Sequence, residues 1–379
     1  MLRTKSIDEL VQASEHKDAR LTRHLGLWSL VALGVGSVIG TGIFTMTGTA
    51  AAGTIDRPGA GPAVSLSFIL VAIACGLAGV CYGELASMIP VAGSTYTYAY
   101  ATLGEIFAWI IGWDLILEYA VSDMAVAVGF GAYFNDLLDN AFGVHLPFVW
   151  SNPVFAEGKF TGAYFNIPAF VMVMALSWLL VIGIRESATV NNWIVAIKVA
   201  AILLFVFGAA RAVNSANWHP FFPNGFSGVM TGSAIVFFTY VGFDAVSTAA
   251  EECKQPQRDM PRALIATLAV CATLYASVGL ILTGIAHWKT LGNDAPVAVA
   301  LKALGYNGIR FGVTIGALLG MTTALLVGQY GQTRIWFAMS RDRFLPPIFS
   351  RIDQRYRTPA ASTWIAGLAV AIGSGIFDI

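Results

Sequence analysis

Long apolar runs separated by short polar stretches set the pattern of this chain. A bilayer core about 30 Å thick needs roughly 20 apolar residues per helix. Nine segments have that length: 27–50, 63–86, 104–135, 166–184, 188–210, 228–250, 263–286, 311–333 and 359–377. Lipid cannot hydrogen-bond an exposed backbone, so runs of this kind predict helices. The predicted fold class is an all-α integral membrane protein, with a polar segment at 1–26 followed by one transmembrane domain at 27–379. With the N-terminus inside, the cytoplasmic stretches hold 15 Lys and Arg and the outer stretches only six, namely Arg57, Lys159, Arg211, Lys289, Lys302 and Arg310. That bias predicts a cytoplasmic N-terminus.

Composition supports the same reading and removes others. Hydrophobic residues make up 56% of the chain and charged residues 12%, about half the charged share of a soluble domain. Mean hydropathy is +0.69. The 39 glycines suit close helix packing in lipid. A net charge of zero gives no reason to expect a nucleic-acid partner. Cys75, Cys81, Cys253 and Cys271 lie in or beside apolar segments and show neither a disulfide frame nor metal-ligand spacing. The five histidines are scattered outside the spans, so no constellation of nucleophile, base and carboxylate forms, and an enzyme is not expected. The polar N-terminal residues up to about Leu25 argue against a signal peptide before the first span.

Two spans carry poor helix sequence at mid-membrane. Span one has Gly34 and Gly36, then Gly40-Thr41-Gly42-Ile43-Phe44. Glycine is about 1 kcal/mol worse than alanine inside a helix. The segment is read either as a small-residue helix contact or as a broken helix whose second half begins near Ile43. In the second case its first N–H groups point at the bilayer centre and suit a carboxylate. Span six has Phe238-Thr239-Tyr240-Val241-Gly242-Phe243-Asp244. A carboxylate beside a mid-span glycine is costly in lipid and implies an interior cavity. A break at Gly242 frees the carbonyls of Phe238 and Val241, which suit an ammonium group. Spans one and six are five apart, so the two breaks fit an inverted repeat, about 27–210 and about 228–379.

Lys198, the single charge of span five, lies about 10 Å inside it. It either snorkels to an interface or is buried, where it can exchange a proton or stand as a fixed cation in place of sodium. Span three adds Asp114, Glu118 and Asp123. Asp114 and Glu118 share a face at i, i+4, and Glu118 lies deeper of the two and can line the cavity. An ion channel lacks support, because no filter sequence is present.

The stretches 36–44 (GSVIGTGIF), 112–119 (GWDLILEY), 191–198 (NNWIVAIK), 240–252 (YVGFDAVSTAAEE) and 332–343 (QTRIWFAMSRDR) resemble the cationic amino acid transporter branch of the amino acid–polyamine–organocation superfamily. The resemblance runs from about Leu21 to the end of the chain. It implies a leucine-transporter-like fold of five-plus-five inverted repeats with broken helices one and six. It also implies alternating access in the cell membrane and symport of an L-amino acid, cationic or small neutral, usually with protons. Carried over to this chain, the substrate carboxylate meets Thr41 and the amides of Gly40 and Gly42. The α-ammonium meets carbonyls of Val38, Phe238 and Val241. Ile39, Thr239 and Gly242 belong to the same unwound segments, and Glu118 and Asp244 bias the pocket towards cationic or polar side chains. Lys198 matches the lysine that replaces a sodium ion and is linked to proton coupling, so no sodium, metal or organic cofactor is expected. A polyamine or amino acid exchanger and a non-transporting sensor remain alternatives. Relatives typically have twelve spans, so the expectation is a chain truncated after helix nine that forms its site but transports poorly.

Overall fold

The computed structural model describes residue 4 and residues 25–378, except 55–56, 90–93, 157, 183–187, 249, 251–252, 354 and 357. Nearly all of the expected cytoplasmic segment 1–26 therefore lies outside the described residues, as do Arg185, Arg357 and Glu251–Glu252 of the sequence stretches above.

Every predicted span corresponds to a helix or a broken helix. Span one is α1 (Leu27–Val38), a π-helical turn (Gly42–Met46) and α2 (Thr47–Ala52), with a bend of 50° between the two halves. There follow α3 (Val64–Met88), a short α4 (Ser94–Thr102), α5 (Glu105–Phe142), α6 (Ile167–Ile182) and α7 (Ala188–Ala209). Span six begins as α8 (Gly225–Phe237). The remaining helices are α9 (Pro256–Ile285), a short α10 (Pro296–Ala303), α11 (Asn307–Arg341) and α12 (Ala360–Ile376). Among the described residues five helices are long and apolar enough to cross a membrane alone, and the bent pair makes a sixth; α6, span six and α12 are shorter apolar helices. One two-stranded hairpin, β1 (Phe155–Ala156) with β2 (Lys159–Phe160), pairs antiparallel in the loop before α6.

Local sequence sets the longest helix. At 38 residues α5 is about 57 Å long, well beyond the bilayer core. It ends at Gly143 in the left-handed conformation, whose N–H caps Asp139 O while Val144 N–H reaches Leu138 O. This is the glycine stop expected where a helix must end sharply.

The helices sort into two groups. Within one, α3 runs along α9, and α1 and α8 pack on that pair; within the other, α5 runs along α11 and α6 along α12. Each of these pairs joins a span to the one five later: two with seven, three with eight, four with nine. That pairing suits two interlocked five-helix units. The main apolar core lies through the first group and its contact with α5 and α7, with Phe44, Phe68, Tyr133, Phe205, Tyr240 and Tyr275 fully buried in it. Close approach of α7 to α11 depends on glycine. Along α11, Gly312, Gly316 and Gly320 recur every four residues and face Leu204, Ala201 and Lys198 of α7. A methyl group at Gly316 would stand 2.1 Å from the Ala201 Cβ.

Candidate functional site

Both predicted breaks are present, and both lie at mid-span. In span one the helix stops at Val38, Ile39 adopts an extended conformation, and the π-helical turn restarts at Gly42. The first amides of a helix have no partner inside it, so the start of the 42–52 segment presents donors. In span six the chain tightens into a 3-10 turn at Phe238–Tyr240, extends at Val241 and turns at Gly242 with φ +99°. That φ suits glycine alone among ordinary residues. A Cβ at Gly242 would also meet the Ser37 hydroxyl at 2.8 Å, and one at Gly42 would meet the Thr239 side chain at 2.4 Å. The two breaks therefore touch because each supplies a bare glycine to the other.

Buried tyrosines hold the breaks in place. The Tyr275 hydroxyl on α9 lies 2.8 Å from the Val38 carbonyl and 3.1 Å from the Thr239 carbonyl, and so ties one broken helix to the other. Tyr133 of α5 donates to Phe44 O at 2.8 Å, and Tyr240 donates to Phe68 O at 3.0 Å. Tyr240 lies in the span-six stretch singled out from the sequence, but Tyr133 and Tyr275 were not legible as part of the site; only the packing of distant helices gives these hydroxyls their partners.

Lys198 is fully buried, and its Nζ donates to Gly36 O at 2.8 Å and Ile39 O at 3.2 Å. These carbonyls belong to the last turn of α1 and the break that follows it, where the helix can no longer satisfy them. A cation there completes the negative end of the half-helix. Snorkelling is excluded by the burial. Ile39, expected in the substrate site, is fully buried and turns its carbonyl to Lys198.

A cavity of about 50 Å³ lies between the breaks and the opposing helices. Val38, Gly40, Thr41, Gly42, Phe238, Thr239, Val241 and Gly242 line it, so most of the expected substrate residues come together. Thr41 is buried, and its hydroxyl has no hydrogen-bond partner among the described residues. The Val38 carbonyl, expected to take an ammonium, already accepts from Tyr275. The Phe238 carbonyl accepts a long bond from Val241 N–H at 3.3 Å. Glu118 and Asp244 are not among the lining residues. Glu118 is half-buried and within electrostatic reach of Asp244 and Asp114. The acid that does line the cavity is Asp123, with Tyr119, Ser122 and Val126 of the same helix and Ala324, Val327 and Gly328 of α11. Glu118 and Asp123 are five residues apart, about 140° around a helix, so one faces the cavity and the other turns away. The spacing of Tyr119, Ser122, Asp123 and Val126 at i, i+3, i+4 and i+7 marks that face in the sequence.

The chain matches the family described as "Amino acid permease" over residues 25–377. It is 46% identical to a branched-chain amino acid permease of Bacillus subtilis, across 98% of this chain and 78% of that protein. It is 44% identical to a methylthioribose transporter of the same organism, across all of this chain and 80% of that protein. A cationic amino acid transporter of Arabidopsis thaliana is 41% identical across 88% of this chain and 58% of its own length. Among solved structures, MhsT in complex with L-phenylalanine aligns with a TM-score of 0.64 at 14% identity, covering 93% of this chain and 80% of that one, a likeness of fold.

Proposed function

Since the chain belongs to the amino acid permease family and is a multi-pass membrane transporter of the leucine-transporter-like fold, we propose that it moves an L-amino acid by alternating access, driven by protons through Lys198. The observation that carries this reading is the placement of the Lys198 ammonium on the carbonyls of Gly36 and Ile39, directly behind the break whose Thr41 hydroxyl lines the cavity with no partner among the described residues. A substrate carboxylate docks on Thr41 and the amides of the 42–52 half-helix. Its ammonium docks on the carbonyls of the span-six break. Lys198 couples the two events because it binds the same break from behind. A protonated lysine holds the α1 carbonyls in place; a neutral one has one fewer N–H donor and no charge, and releases the half-helix. No sodium ion is needed where a lysine supplies the charge. The protein works in the cell membrane with its N-terminus in the cytoplasm, as the Lys/Arg bias supports.

The test is uptake of labelled alanine, ornithine and leucine into liposomes carrying the purified chain, without sodium and with an inward proton gradient. Gradient-driven uptake is the expected result. In Lys198→Ala, equilibrium binding of the accepted amino acid stays measurable while the gradient no longer drives accumulation. Equal gradient dependence in that variant makes the lysine structural and removes proton coupling from it.

A further inference from the structure

We propose that Asp123 reads the substrate side chain and selects amino acids whose side chain ends in a cationic amine. This rests on the amino acid reading above and deepens it by naming which end of the cavity sets selectivity. The groups suited to a main-chain carboxylate and ammonium all sit on the two broken helices, at Thr41, Gly42 and the 238–242 segment. A substrate held there by its α-carbon directs its side chain at the opposite wall. That wall is α5 and α11, and its acid is Asp123, beside the polar side chains of Tyr119 and Ser122.

Asp123 is 2% exposed, and its Oδ2 has no hydrogen-bond partner among the described residues. A buried carboxylate without a partner is expensive, and a buried charge more so. A group of this kind calls for an explanation, and a ligand that completes it is one. Across from it, position 328 is a glycine; a Cβ there would lie 2.1 Å from Asp123 Oδ1. The carboxylate therefore fits against α11 only because residue 328 has no side chain. Ala125, Val126, Ala324 and Val327 on this side are apolar, and among the described residues neither Tyr119 nor Ser122 hydrogen-bonds the Asp123 Oδ2. An aliphatic branched side chain placed there buries the carboxylate further without compensation. An ammonium pairs with it, through the stronger charge-assisted kind of hydrogen bond. Glu118 and Asp244, the acids that the sequence pattern favours for this role, do not line the cavity.

The experiment is equilibrium binding of labelled ornithine, alanine and methylthioribose to the purified chain in detergent at one pH, with unlabelled ornithine, lysine, glutamine and leucine as competitors. Wild type is expected to take ornithine at least about tenfold better than leucine, the step that one charge-assisted contact supplies. Asp123→Asn lowers that ornithine-to-leucine ratio by about tenfold or more, and Asp123→Glu retains it. Gly328→Ser, which displaces the carboxylate without altering it, lowers the ratio too and serves if Asp123→Asn does not fold. A wild-type preference for leucine, or a ratio unchanged in both Asp123→Asn and Gly328→Ser, overturns the assignment while leaving amino acid transport in place. Binding of methylthioribose with none of any amino acid overturns the amino acid reading itself.

Discussion

Single side chains decide what the cavity can hold. The Thr41 hydroxyl is buried and has no hydrogen-bond partner among the described residues, so the carboxylate proposed to bind there would meet a donor with no competing bond. Thr41→Val removes that donor at nearly constant volume and is expected to weaken binding of the accepted amino acid by about 1–2 kcal/mol. Isothermal titration of the detergent-purified variant reads this directly, and unchanged affinity would place the carboxylate elsewhere. A second residue ties the half-helix to the loop outside it. Thr45 donates to the Asp294 carbonyl at 2.9 Å, in the segment between α9 and α10. The Asp294 carboxyl is pushed up to about 6, first by burial and then by the nearby charge of Asp378. An acid with a pKa above its unfolded value of about 3.9 favours the folded state most at low pH. That contribution is lost as pH rises from about 4 to about 6. The melting temperature should therefore fall across this window in wild type, and less steeply in Asp294→Asn. Parallel melting curves for the two proteins would remove Asp294 as the cause.

Each helical element owes its position to what its neighbours lack. The α7 helix approaches α11 closely because Gly312, Gly316 and Gly320 offer no side chains, and the third of them lies against the Lys198 stem. This is the small-residue packing that drives helix association where lipid offers no hydrophobic contrast. Gly316→Leu should push α7 away from α11, lower the melting temperature and withdraw Lys198 from the Gly36 and Ile39 carbonyls. Substrate binding is then lost together with stability. Full binding in a stable Gly316→Leu protein would show that the stripe does not position the lysine. The same spacing is readable in the sequence as glycine every fourth residue, yet which helix fills the groove is not.

At the scale of the molecule, the second helix group is fastened internally, and to α10, by a buried ionic network at one end of α5. Arg310 of α11, 3% exposed, donates from Nε to Asp136 Oδ1 at 2.9 Å and from Nη2 to Asp139 Oδ2 at 2.7 Å. Thr314 donates to Asp136 Oδ2 at 2.9 Å, and Lys302 of α10 reaches Asp139 at 2.6 Å. In the sequence Arg310 and Lys302 count simply as two of the outer loop cations; the fold instead uses them to fasten α5 to α11 and α10. Removing one member of a buried pair strands the other, a cost of about 3–5 kcal/mol. Arg310→Met should accordingly lower thermal stability strongly, and the double variant Arg310→Met, Asp136→Leu should recover much of it. Failure of the second change to rescue would mean that Arg310 acts through its packing and not its charge.

Patterning alone determined the membrane class, the helical content and the positions of both breaks, because each of these is a local matter of apolar length and glycine content. Gly40-Thr41-Gly42 and Val241-Gly242 cannot hold a regular helix well wherever they are placed. Tertiary structure decided which groups meet. Span three offers three acids within ten residues, and only the rotation of α5 against α11 brings Asp123 into the cavity and leaves Glu118 outside the lining. The Tyr275 hydroxyl found its carbonyls, and Lys198 found the end of α1, through contacts between residues more than 150 positions apart in the chain, apart from the Tyr275–Thr239 pair. A helix has a period of 3.6 residues that its sequence displays, but the angle at which it faces its neighbours is set by the packing of all of them together.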